Sequence, residues 1–180
     1  SDGSFIKLPS FCGIVTSVDD EHIDYYKSFR NLENAFAEYI NNTSIFGFSA
    51  ICMDDSKAYK LAKKQKRSDI VYYGTKAKAN YRAKNIRIKN DGQLFDVEVK
   101  QLNKKNIVYK DIFFPMYGTH NLNNAMGAIT VSHKLGINFT KIKLALKNFQ
   151  GVKRRLTLIS NYKGAYFYDD YAHHPSEIVA

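Results

Sequence analysis

Residues 12–18 form a near-continuous apolar run bounded by turn residues, and residues 46–53 and 69–73 repeat the pattern. Strands without polar alternation are covered on both faces, which is the situation of a parallel sheet. Between them, Leu32, Ala35, Phe36, Tyr39 and Ile40 recur at helical spacing behind Asn31, a plausible N-cap. Residues 56–65 carry a second amphipathic pattern. This β-α-β-α-β order predicts an α/β fold: a mostly parallel sheet with flanking helices.

The period then changes. Residues 79–89, 93–101 and 107–113 alternate apolar and polar side chains, with turn signals at Asn90-Asp91-Gly92 and at residues 103–106. That predicts a small antiparallel meander with one face in water. Helices are expected over residues 120–135, ended by Gly136, and over 140–149. Gly151-Val152-Lys153-Arg154-Arg155 reads as a basic hinge, and a hairpin turning at Tyr162-Lys163-Gly164 follows. A domain boundary near residue 151 divides the chain into segments 1–150 and 151–180.

Composition narrows the class. A hydrophobic content of 44% with 14% aromatics is that of a folded globular protein. No apolar run approaches the roughly 18 residues of a membrane span, and no signal peptide opens the chain. Cys12 and Cys52 sit in apolar runs without CxxC spacing, which points to buried thiols in a cytosolic protein. The net charge of +10 invites a nucleic-acid partner. The positive residues are mostly lysines scattered among asparagines, however, and residues 60–67 suit the solvated face of a helix. Neither nucleic-acid binding nor membrane insertion is expected.

Three polar clusters are candidates for chemistry. Asp19-Asp20-Glu21-His22 follows the first strand, where open α/β sheets bind ligands, and His22 is a candidate metal ligand. In Gly118-Thr119-His120-Asn121-Leu122-Asn123-Asn124, Asn121 and Asn124 share one side of a helical turn. Their carboxamides combine donors with an acceptor, which suits the edge of an adenine ring. The third cluster joins Arg154-Arg155 to Asp169-Asp170-Tyr171-Ala172-His173-His174-Pro175, where Pro175 would open a helix. Arginine's planar fork binds phosphate oxygens, and a carboxylate can accept both hydrogen bonds of a ribose diol. Taken singly, the first reads as a surface histidine in an acidic loop, the second equally as an N-cap with spare asparagines, and the third as a solvated linker and a polar turn before a surface helix.

Together, EHID after the first strand, GTHNLNNAMGA opening a helix, FQGVKRR at the hinge and DDYAHHPSE resemble the ATP-dependent Mur ligases of bacterial cell-wall synthesis. The likeness runs along essentially the whole chain. It implies a P-loop-type sheet over residues 1–150 and the start of a Rossmann-like C-terminal domain over 151–180. DDYAHHP and EHIDYY resemble the alanine-adding branch most, with the tripeptide-recycling branch as the alternative within the family. Phe36 stands where some sister ligases carry a carbamylated lysine, which agrees with the alanine-adding branch. A non-catalytic basic binding module of the same fold is the alternative of another class.

The resemblance further implies ATP and Mg2+ as cofactors, UDP-N-acetylmuramate and L-alanine as substrates, and a bacterial cytoplasmic location. ATP would convert the lactyl carboxylate into an acyl phosphate, which the amine of L-alanine then attacks. Carried over by position, His22 would bind magnesium. His120, Asn121 and Asn124 would meet the adenine, and Asp170 the ribose. Arg155 would reach the phosphates, while Tyr171 and His173 would face the cleft. Arg155 and His173 are the candidate catalytic groups. Ser17 and Glu21 replace the asparagine and aspartate expected in close relatives. No GxxxxGK[ST] loop occurs, so the chain reads as an internal fragment without ligase activity of its own.

Overall fold

The computed structural model describes residues 3–19, 23–67, 69–155, 157–172 and 178. Strands β1 (Cys12–Val15), β2 (Phe48–Cys52) and β3 (Ile70–Gly74) pair in parallel. Helices α1 (Ile23–Tyr26) and α2 (Phe29–Asn42) connect the first pair of strands, and α3 (Ser56–Lys64) connects the second. All five residues of β2 are buried, as expected of a central parallel strand, and the hydroxyl of its one polar residue, Ser49, donates to Thr43 Oγ1 at 3.1 Å. β1 is shorter than expected and ends at Val15, although Val18 beyond it is still buried.

β4 (Tyr81–Lys89) pairs in parallel with the end of β3 and continues as the first strand of the meander with β5 (Gly92–Val99) and β6 (Ile107–Phe114). The antiparallel part is therefore an extension of the same sheet, in the order β1-β2-β3-β4-β5-β6. A turn this short suffices between β3 and β4 because only Tyr73↔Tyr81 and Gly74↔Arg82 pair.

Helices cover both faces. Leu122, Met126 and Ile129 of α4 (Thr119–Lys134) and Phe139 and Ile142 of α5 (Phe139–Lys147) pack on one face, against Phe48, Tyr73, Phe95 and Ile112. Ile40 of α2 and Leu61 of α3 pack with Val15 and Ile51 on the other. Each large side chain so buried contributes about 1.5–3 kcal/mol. Gly127 lets α4 approach closely: a Cβ there would lie 3.0 Å from Tyr73 Oη and 3.1 Å from Ile14 Cγ2. At its C-terminal end, His133 lies between Tyr81 Oη (2.9 Å from Nδ1) and Tyr109 Oη (3.3 Å from Nε2), fastening α4 to the meander. Burial lowers the pKa of this imidazole.

The start of α2 differs from expectation. Ser28 is the N-cap, accepting from Asn31 N at 3.2 Å, and Asn31 lies inside the first turn with its Nδ2 donating to Tyr26 O. The hairpin β7 (Thr157–Tyr162) and β8 (Ala165–Asp169) forms a sheet of its own. Its two-residue turn has positive φ at both Lys163 and Gly164, the I′ geometry that matches strand twist. The helix start expected at Pro175 lies outside the described residues.

Asp96 pins irregularities in both neighbouring strands. Its carboxylate accepts from Asn85 Nδ2 (2.8 Å) and Asp111 N (2.9 Å), both residues having positive φ. Burial pushes this carboxyl up, but the Asn85 and Asp111 bonds, with Arg87 and Lys110 nearby, more than offset it and leave the pKa lowered. Asp96→Ala is expected to cost about 2 kcal/mol by orphaning these donors, read as a lower urea midpoint at unchanged m-value.

Candidate functional site

A cleft of about 1620 Å³ opens at the carboxyl ends of the parallel strands. Thr16, Ser17 and Asp19 follow β1, Asp54 and Asp55 follow β2, and Thr75 and Lys76 follow β3. Its opposite wall is the N-terminal part of α4, with His120 and Asn121 in the first turn and Asn124 in the second, and Arg155 and Asp170 also line it. This is the crevice of an open α/β sheet, where strand ends and helix N-termini both lack backbone partners.

The N-cap of α4 is Gly118 (φ 90°), which supplies no side-chain cap, so N–H groups of the first turn are left for solvent or a ligand. His120 folds back over Gly118: a Cβ there would come within 2.7 Å of the imidazole. Asn121 Nδ2 donates to Tyr117 O at 2.8 Å, which orients its carboxamide and leaves its oxygen and second N–H. Asn124 is exposed on the same wall. This donor set fits an anion beside a planar heterocycle.

Arg155 and Asp170 are distant in sequence, and the hinge brings both to the cleft. Tyr171 N donates to Arg154 O at 2.8 Å, and the Arg154 guanidinium lies 4.5 Å from the centre of the Tyr171 ring. Tyr171 thus packs against the hinge. Asp170 Oδ1 accepts from Ala172 N (2.8 Å), fixing the carboxylate in a local turn.

Two predicted positions, His22 and His173, lie outside the described residues. Among the described residues, no group of three or more His, Cys, Asp and Glu side chains is placed to hold a metal ion. The carboxylates at the strand ends are engaged within the protein. Asp55 Oδ1 accepts from Ala58 N as the N-cap of α3, Asp54 accepts from Thr75 N (2.8 Å) and Lys76 N (3.3 Å), and Asp19 pairs with Lys57 at 3.7 Å. Phe36 lies in the apolar packing under α2, with its ring 5.5 Å from that of Phe5.

Asp54, Asp55, Thr75 and Lys76 were not singled out from the sequence. The signal existed: they follow β2 and β3 as Asp19 follows β1, and the rule that placed a ligand loop after the first strand applies to all three.

Residues 3–132 match the Mur ligase middle domain. The UDP-N-acetylmuramate–L-alanine ligase of Pelagibacter ubique is 42% identical over 178 residues, covering 99% of this chain and 38% of the relative. The ligase of the same name from Brucella anthropi is 40% identical over 180 residues, covering 100% and 38%. Among solved structures, MurC from Thermotoga maritima matches with a TM-score of 0.78 at 26% identity, over 98% of this chain and 38% of its own. MurF from Acinetobacter baumannii matches in fold, with a TM-score of 0.80 at 19% identity, over 98% and 37%. The chain spans little more than a third of the length of the curated relatives it matches. With the Mur ligase middle domain matched over most of its residues, the chain belongs to the Mur ligase family.

Proposed function

We propose that this chain is the nucleotide-handling core of a cytoplasmic bacterial enzyme that joins L-alanine to UDP-N-acetylmuramate at the expense of ATP. The observation that carries the reading is identity of 40–42% to ligases of that name over 99–100% of the chain. ATP would transfer its γ-phosphoryl group to the sugar's lactyl carboxylate, leaving ADP and an acyl phosphate; the amine of L-alanine would attack that carbonyl and displace phosphate to give the amide.

The chain's own residues bind and orient. The N–H groups at the start of α4 face the cleft, with Asn121 and Asn124 offering carboxamide edges to adenine. Asp170 would accept from the ribose hydroxyls, and Arg155 would offset phosphate charge. Magnesium, when bound, would neutralise the transferring phosphoryl group. An octahedral magnesium takes one or two carboxylates together with phosphates and water. The described carboxylates therefore suit such an ion only beside a bound nucleotide, with His22 as the further ligand that the family likeness implies.

The separate β7–β8 sheet supports a domain boundary near residue 151, so that Arg155 and Asp170 belong to the second domain and closure would complete the site. The full-length gene product, given ATP, magnesium, UDP-N-acetylmuramate and L-alanine, is expected to form the alanyl nucleotide sugar, detected by mass spectrometry. Absence of that product with all four present would refute the reading.

A further inference from the structure

The turn after β3 is more firmly built than its exposure requires. Gly74 has φ of +143°, and a Cβ on it would lie 2.7 Å from the Asp54 carboxylate, which sits against the backbone there. That carboxylate accepts from Thr75 N and Lys76 N, while Arg82 Nε donates to Thr75 O at 3.0 Å. At the far end of the turn, Asn80 closes on Tyr72 through Asn80 N to Tyr72 O and Tyr72 N to Asn80 Oδ1, both 2.8 Å. The ammonium of Lys76 is itself held, donating to Met53 O at 3.0 Å.

The charges around this turn are unevenly matched. Asp19 has Lys57, Asp55 has the first turn of α3, and Asp54 has two backbone N–H groups. Lys76 forms no ion pair among the described residues; its ammonium, which carries three donors, donates to the neutral carbonyl of Met53. It is also the one lysine or arginine among the described cleft-lining residues of the strand ends. Cleft, fixed turn and unmatched charge converge on a cation held in place before any ligand arrives.

We propose that Lys76 is an anion-contacting residue of the cleft, meeting a phosphate group of a bound nucleotide, with Asp54 as the residue that positions it. The inference rests on the reading of the cleft as a nucleotide site. Either ATP or the nucleotide sugar could supply the phosphate, and the two are separable by experiment.

In the full-length gene product, KM for ATP and for UDP-N-acetylmuramate would be measured for wild type, Lys76→Ala, Lys76→Arg and Asp54→Asn. Direct binding of ADP and of UDP-N-acetylmuramate would be followed by calorimetry. Lys76→Ala is expected to raise KM and Kd for one of the two about tenfold, the scale of one charge-assisted hydrogen bond, with kcat within about twofold. Lys76→Arg should recover most of the loss. Asp54→Asn should weaken the same ligand and add little when combined with Lys76→Ala. The ligand whose constants move identifies the source of the phosphate. Lys76 is exposed, so its alanine variant should fold as wild type does, and unchanged constants for both ligands would overturn the proposal. A wild type that turns over with L-alanine while Lys76→Ala is indistinguishable sinks this inference alone; a wild type that binds neither nucleotide sinks both readings.

Discussion

Arg67→Ala is expected to lower stability by about 3 kcal/mol, the range for breaking a largely buried pair whose partner stays behind. The guanidinium binds Asp69 through Nε and Nη2 and donates to the carbonyls of Asn41, Thr43 and Ser44, where the chain leaves α2. One side chain thus satisfies the end of a helix and the approach to β3, and it is only 12% exposed. Removing it takes the donor from Asn41 O and Thr43 O, leaves Ser44 O with Gly47 N alone, and leaves Asp69 without its guanidinium. The bond to Arg67 holds the Asp69 carboxyl below its usual range, against the upward push of burial. A lowered native pKa contributes stability above the unfolded value near 3.9, and that contribution is lost as pH falls through the native pKa. Wild-type stability should therefore fall on acidification by more than that of Arg67→Ala. Urea unfolding at neutral and acid pH measures both, and equal midpoints for the two proteins at neutral pH would contradict the assignment.

Asp170→Ala in the full-length gene product is expected to raise KM for ATP about 10- to 100-fold, since a carboxylate holding a diol makes two charge-assisted hydrogen bonds. Asp170 also closes a turn through Ala172 N, so the alanine variant alone cannot separate binding from local shape. Asp170→Asn can. Its amide oxygen can still accept from Ala172 N, but an NH2 replaces the other acceptor, so the turn persists while diol binding weakens. A rise in KM for both variants, larger for alanine, supports ribose binding. A rise for alanine alone would reduce Asp170 to a turn residue.

What could be read in the sequence follows from where burial writes a pattern. Phe48–Cys52 is covered on both faces and shows no polar alternation, its single polar residue Ser49 being buried with its hydroxyl bonded to Thr43 Oγ1, and this identifies a central strand without any neighbour. The meander was legible from alternation in the sequence, which burial follows over Tyr81–Lys84 but not in β5, where six of eight residues are buried, Gln93 and Asp96 among them. The start of α2 was misplaced because the apolar period becomes clear only at Leu32, whereas the cap is chemical: the Ser28 hydroxyl takes the Asn31 N–H. The Arg67 clasp and the Asp96 bulges left no trace, since each joins groups that only the folded chain brings together. Asn121, Asn124, Arg155 and Asp170 were found through motif spacing, and all line one cleft. Lys76 has no motif, and its position depends on a carboxylate from the preceding strand end.

The cleft is proposed to serve ATP-driven addition of L-alanine to UDP-N-acetylmuramate. Phosphate release by the full-length gene product tests it most directly, with ATP, magnesium and UDP-N-acetylmuramate present and either L-alanine or L-alanyl-D-glutamyl-diaminopimelate added. Release that depends on L-alanine is the predicted result. Release only with the tripeptide, or with neither amine, would contradict the claim.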